Sequence, residues 1–512
     1  MSTPFESLIA DPRAARRYLV DLEPWDPVAG ATTRLCFSDH GFVTEPDDDP
    51  PDTVYLPRLD RGFSFRIGRE LFGQGRIGGQ SLPNWGEIAL ANADGALDPL
   101  LALGWDGRRA VVRLGGEGFR YTDFRVVFTG AVEGAGADDL VLRLVIRDPA
   151  WRFDRPAQAN LFAGTGGGEG GADLAGRPKP VALGRVRNVE AAHLGIVGGR
   201  HSYRVHDGPI EDVDAGWSSA VALTRVAGTP VAGQYAVDTA TGIVTLGGSP
   251  LDSAITWDVK GDKAAGTWRT SAAALARHIA VTRAGLADPA DLDTASFDAL
   301  ALAAPADIGW WLDDDTSVAE LLDRLLGAIG GWWGFTRDGR FQVGRIEAPA
   351  AEAAARYTER EILALERLDV ALPPWRVALG HARCWRLQSG REIAGGAGPE
   401  RQSFVQQAHR YGAPATDPAI LAAHPLARDE RADTALDQPA AAAAEQTRLL
   451  ALHGVDRQAF RVTVKTQPFA RELGETVEIV HPRFGLAAGR RLVILGMVED
   501  TAASEVALTL WG

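Results

Sequence analysis

Apolar and polar residues alternate with period two along much of the first 150 positions, as they do in strands with one face buried and one in water. Residues 17–23 (RYLVDLE) and 63–67 (FSFRI) carry the alternation, and residues 111–114, 124–129 and 140–146 follow between Gly-rich turns. Each is predicted to be a strand, and the Asp/Pro run at 45–52 an exposed loop. The pattern stops near Asp148-Pro149. Residues 151–180 read as irregular: 164–171 (GTGGGEGG) as a flexible connector, 177–180 (RPKP) as an extended path. Strand patterning returns from 181 to 262. Its clearest hairpin spans 235–246 and turns at Gly242, and residues 255–259 are expected to be its partner strand.

The period then changes. Residues 271–283 place Leu275 and Ile279 at helical spacing. The sequence Ser317-Val-Ala-Glu320 predicts a capping box, in which hydroxyl and carboxylate each satisfy an orphan backbone N–H. Behind it, Val318, Leu321, Leu322, Leu325, Leu326 and Ile329 form one apolar stripe, and Gly330-Gly331 ends the helix. Residues 332–336 and 341–346 flank Arg337-Asp-Gly-Arg340 as a hairpin. Beyond an Ala/Pro-rich joint near 348–355, a helix is expected from Asp437 with Pro439 in its first turn, stopping at Gly454. Strands at 460–464, 476–480, 491–495 and 505–510 close the chain. The expectation is a mainly β, multi-domain protein of β-barrel or sandwich domains with smaller mixed α/β domains. Its units are 1–150, 151–262 (entered through the Gly/Pro-rich linker), 263–347 (helix and hairpin) and 348–512 (α+β). No solenoid-type repeat or long heptad run is present.

Composition narrows the function classes. Acidic residues outnumber basic ones, 67 to 53, for a net charge of −14, which argues against a nucleic-acid coat or an anionic-membrane binder. Glycine is abundant at 58 of 512 residues, which favours short strands joined by turns. The two cysteines, Cys36 and Cys384, exclude a disulfide framework, a four-thiolate zinc site and an iron–sulfur cluster, and read as free thiols. No basic-then-apolar leader pattern and no apolar run of about 20 residues is found, so a soluble chain without a signal peptide or membrane span is expected.

Few motifs carry chemistry. Residues 166–171 match G-x-G-x-x-G, but Pro178 and Pro180 follow where a phosphate cradle needs a helix. Asn92, Asp94 and Asp98 surround Gly95 without the spacing of a calcium loop, and read as a turn. His381 and Cys384, three apart in a strand-like run, fall on opposite faces and make a poor base and nucleophile. His201 and His206 beside Asp207 lack a third metal ligand. Asp313, Asp314 and Asp315 suit the positive end of the following helix. No catalytic, cofactor-binding or metal site is predicted.

Four segments, in order, resemble the tail hub proteins of long-tailed bacteriophages and gene transfer agents. They are residues 86–100 (GEIALANADGALDPL), 174–188 (LAGRPKPVALGRVRN) with 203–208 (YRVHDG), 257–262 (WDVKGD) leading to 338–344 (DGRFQVG), and 473–486 (LGETVEIVHPRFGL) with 506–511 (VALTLW). The resemblance implies a non-enzymatic structural protein of the virion: a homotrimeric baseplate hub at the distal end of the tail tube, assembled in the host cytoplasm. It implies β-barrel domains with small mixed domains between them. The implied partners are the distal tail protein and tail tube, the tape-measure C-terminus, and tail-tip or fibre proteins. DNA would pass through the lumen without sequence-specific binding, and the chain would insert in no membrane. Unlike larger relatives the chain has no fibronectin-like modules, so receptor binding is expected on another protein. Two other readings compete: a cell-wall hydrolase using Cys384 and His381, and an adhesin with a carbohydrate pocket among Trp310, Trp311, Trp332 and Trp333, although those indoles read first as core or inter-domain packing.

Overall fold

The computed structural model describes residues 3–11, 13–59, 85–250, 253–465, 469–501, 503 and 505–512, and the backbone of 66–70. Strand makes up 40% of it and helix 18%, so the chain is mainly β with several sheets, as its patterning predicts. The expected strand at 63–67 lies partly outside the described residues; its last two positions begin the strand Arg66–Glu70.

One sheet of 15 strands joins the two ends of the chain. Arg16–Leu22 pairs antiparallel with Leu35–Ser38 and Arg108–Gly116. The ladder continues through Arg125–Ala137, Val141–Arg147 and Trp85–Ala91 to Arg66–Glu70. There it crosses to the far end of the sequence, with Ile67 opposite Glu499 and Arg69 opposite Met497 of the strand Arg490–Asp500. Glu505–Trp511, Ala459–Val464 and Ile362–Leu368 follow in order. Val20, Ile88, Leu90, Val112, Leu144 and Ile146 share one core on the N-terminal half of the sheet, linked through Val127, Phe128 and Val132 of the strand between them. Val462, Ile479, Ile494, Leu508 and Leu510 form a second core in the C-terminal half. The strand Arg125–Ala137 runs well past the predicted 124–129, because register shifts at Val126/Phe128 and Val132/Gly134 let it bend without breaking its pairing.

Residues 181–262 form two sheets packed face to face. Val181–Val189, Ile210–Ser218 and Ile255–Asp262 belong to one, which also takes in Gly309–Leu312; Ala192–Val197, Arg200–Arg204, Gln234–Asp238 and Ile243–Leu246 belong to the other. The expected edge-to-edge partnership of 255–259 with the 235–246 hairpin is therefore incorrect. Ile255–Asp262 lies between Val181–Val189 and Ile210–Ser218, and is buried on both faces as an interior strand must be. Its contact with the hairpin is through the faces: Trp257 packs on Tyr235 and Tyr203 with centroids 5.3 and 5.8 Å away.

The expected flexible connector at 164–171 is instead a folded loop. Gly164 N–H donates to Glu169 O and Gly166 N–H to Gly170 O, while the Glu169 carboxylate accepts from Ala163 N–H and from Lys179 Nζ at 2.8 Å. The glycines close a loop around a single 3-10 turn, Gly167–Glu169, and Pro178 and Pro180 follow where a longer helix would have to run.

Helices Ala272–Thr282, Thr294–Ala303 and Val318–Gly327 pack with the hairpin Gly331–Phe335/Phe341–Arg345 around Leu275, Ile279, Leu322, Phe335 and Phe341. Ser317 Oγ accepts from Glu320 N–H as predicted. The reciprocal half of the capping box is absent: the Glu320 carboxylate pairs with Arg324 one turn on. Gly330, at φ 65°, turns the chain into the hairpin. The helix Pro439–His453 begins and ends as expected, with Gly454 as its C-cap. Thr294–Ala303 is a helix that no stripe announces, because Ala and Leu spread around its circumference. The predicted strand-like run through 377–385 ends at His381, where Ala382 turns to φ 48°.

Candidate functional site

The helix–hairpin unit and the two halves of the large sheet meet at the tip of the hairpin. Arg337 lies in the turn of the predicted hairpin, and its side chain is only 9% exposed. Its Nη1 donates to Glu499 Oε2 at 2.6 Å, Nη2 to Glu499 Oε1 at 3.0 Å and to Arg471 O at 2.6 Å, and Nε to Glu472 Oε1 at 2.7 Å. The guanidinium also sits 5.2 Å from the Phe469 ring centroid. Burial works against its charge, but Glu499 and Glu472 outweigh that and hold its pKa above the ordinary arginine value. Glu499 is 1% exposed and also accepts from Phe469 N–H at 2.6 Å. It belongs to the strand that receives Arg66–Glu70, so Arg337 locks the hairpin onto the seam between the two ends of the chain. Local sequence carries no signal for this: Glu472 and Glu499 lie 135 and 162 positions away.

A second buried network holds the helical unit to the sandwich. His278 Nε2 and Asp262 Oδ2 are 2.6 Å apart, both side chains nearly inaccessible. Despite burial, the hydrogen bond from His278 and that from Ala264 N–H hold the Asp262 carboxyl down to about 2. Nearby, His206 Nδ1 accepts from Ala182 N–H at 3.1 Å, and burial lowers the imidazole to about 4. His206 is thus a neutral acceptor within the sandwich. His201 lies apart from it, 3.0 Å from His193 and stacked on that ring. Among the described residues no group of three or more His, Cys, Asp or Glu side chains is placed to hold a metal ion.

Cys384 and His381 do not bond each other. The thiol donates to Arg386 O at 3.3 Å and lies 3.2 Å from Asn188 Nδ2, which donates to it. Burial raises the Cys384 pKa and lowers that of His381, whereas an activated thiol requires a lowered one. Asn92 Nδ2 donates to Asp98 Oδ1, and Asp94 takes both arms of Arg58, so these oxygens hold a turn together. Asp314 accepts from Thr316 N–H ahead of the helix Val318–Gly327. Trp310, Trp311, Trp332 and Trp333 are all buried. Arg324 and Arg383 cover Trp310, and Trp333 Nε1 donates to Asp323 at 2.7 Å. These four indoles are core. Among the described residues no helix is long and apolar enough to cross a membrane.

No family model matches the chain, and no curated protein matches it. Among solved structures, it is similar to the tail protein from Neisseria meningitidis (TM-score 0.41, 11% identity, covering 97% of this chain and 96% of that one). A 43 kDa prophage tail protein from Shewanella oneidensis gives a TM-score of 0.41 at 10% identity, covering 97% and 98%. A chain of a native gene transfer agent virion gives 0.21 at 16% identity over 50% of this chain and 84% of that one. The neighbours are thus tail and virion components, at scores too low to define the fold, which rests on the topology above.

Proposed function

We propose that this chain is a structural baseplate hub protein, closing the distal end of the tail tube of a long-tailed phage or gene transfer agent. In this reading it is a homotrimer located at the tail tip. It contacts the distal tail protein and tube above, the tape-measure C-terminus within, and tip or fibre proteins below. The observation that carries the reading is the shared sheet. Both ends of the chain enter one ladder, with a mixed α/β unit docked on the seam by Arg337, which agrees with the β domains and intervening mixed units that the sequence resemblance implies. Such a body transmits load through hydrogen-bonded strands, as a mechanical part of a tube requires. The division at 150, 262 and 347 belongs to the same proposal. The net charge of −14 suits a wall past which DNA slides, because like charge repels phosphate.

The test is to label purified particles with an antibody against this chain and image them. The hub reading expects label at the distal end of the tail, and absence of the chain from purified particles overturns it. The hydrolase reading is tested on the same preparation by peptidoglycan zymography. A cleared band that disappears with Cys384→Ala or His381→Ala would replace the structural reading with an enzymatic one.

A further inference from the structure

A cleft of about 600 Å³ opens on the flank of the sandwich, between the edge formed by Ile210–Ser218 and Val221–Ala222 and residues 396–401. One wall is Trp217. Its Nε1 donates to Asp258 Oδ2 at 3.3 Å, and the Arg401 guanidinium lies 3.9 Å from the ring centroid. The indole is therefore fixed in a single orientation before any ligand arrives. Arg401 is 10% exposed; it donates to Asn188 Oδ1 and faces Asp258 at 3.9 Å.

The opposite wall contains Gly396, Gly398 and Glu400. Neither glycine takes a left-handed φ. A Cβ on Gly398 would meet nothing within 4 Å, and one on Gly396 would touch Val221 Cγ2 at 3.7 Å, an ordinary contact. Backbone conformation and packing would accept a side chain at both positions. What the glycines preserve is the open space of the cleft.

We infer that this cleft is a binding site for a neutral saccharide. Its volume is within the ~300–1,000 Å³ of small-molecule sites, and the part of the Trp217 indole that Arg401 leaves uncovered offers an apolar surface for the C–H face of a sugar ring. Arg401 and Glu400 contribute one charge of each sign, so the lining selects neither a phosphate nor a cation, while both residues hydrogen-bond hydroxyl groups. An extended peptide fits less well. The edge strand Val221–Ala222 is two residues long, too short a ladder for strand addition. The inference does not rest on the hub reading, since the cleft is lined by residues of one chain.

The fluorescently labelled full chain would be applied to an array of neutral and anionic oligosaccharides. Retention on neutral glycans is expected, falling at least tenfold for the double variant Gly396→Val/Gly398→Val, with an unchanged thermal melt. As a second readout that needs no variant, the Trp217 indole N–H resonance should shift on titration with a retained oligosaccharide. Retention by no neutral glycan, retention only by anionic ones, or an unmoved Trp217 resonance overturns the inference and leaves the hub proposal as it stands.

Discussion

Replacing Arg337 with alanine isolates the contact that locks the hairpin to the seam. The substitution removes two charge-assisted bonds to Glu499 and one to Glu472. It leaves a carboxylate that is 1% exposed, with the Phe469 N–H still donating to it. Breaking a buried pair from one side costs about 3–5 kcal/mol, because the surviving charge stays buried without its counter-ion. The Glu472 arm is 49% exposed and adds only about 0–1 kcal/mol. Arg337→Ala should therefore destabilise the fold by about 3–5 kcal/mol, read as a lower urea midpoint by tryptophan fluorescence and far-UV circular dichroism. Arg337→Met combined with Glu499→Gln removes both charges and keeps an acceptor for Phe469 N–H. It should restore more than half of the loss, since replacing a whole buried pair is often near neutral. A loss under about 1 kcal/mol for Arg337→Ala, or a double variant no more stable than the single, would refute the assignment of Arg337 as a buried lock.

Three further outcomes follow from the packing and the titrating groups. Gly309→Ala should cost at least about 3 kcal/mol or abolish soluble expression, because a Cβ there would stand 1.7 Å from Arg185 O on the neighbouring strand; a melt like that of the parent would contradict this. Ser317→Ala should cost about 1 kcal/mol as a lost N-cap, and Glu320→Gln under about 0.5 kcal/mol, since that carboxylate pairs with Arg324 and not with the cap; equal losses would argue for a complete capping box. Burial holds His206 and His453 down to about 4, against ~6.5 for an unfolded imidazole. The unfolded chain thus binds more protons between these values, so this stability is present above about pH 6.5 and is lost as pH falls through 4. Each histidine contributes on the order of 3 kcal/mol; urea midpoints that agree at pH 7.5 and 4.5 would refute it.

Period and caps made individual elements legible. Strands at 17–23, 140–146 and 505–510 and the helix behind Ser317 were readable because a half-buried element repeats its burial along the chain. Pairing was less legible, since a strand's partner depends on register set elsewhere. Residues 255–259 alternate as a half-buried strand does, but Asp258 is buried too, bonded to Asn188 N–H and Trp217 Nε1. The pairing of Arg66–Glu70 with Arg490–Asp500 spans more than 400 positions, and no local pattern encodes it. Arg337 was hidden for the same reason, as a charged turn residue whose burial comes from partners distant in sequence. The four conspicuous tryptophans were legible as packing residues from their bulk, and all four are buried. Trp217, set among small residues, had no motif to mark it.

The proposed hub is built from three copies of this chain. Sedimentation-velocity measurement of the full chain at micromolar concentration addresses it most directly. A trimer gives a species of about 164 kDa, three times the 54.5 kDa chain, and a single species of 54.5 kDa would contradict it.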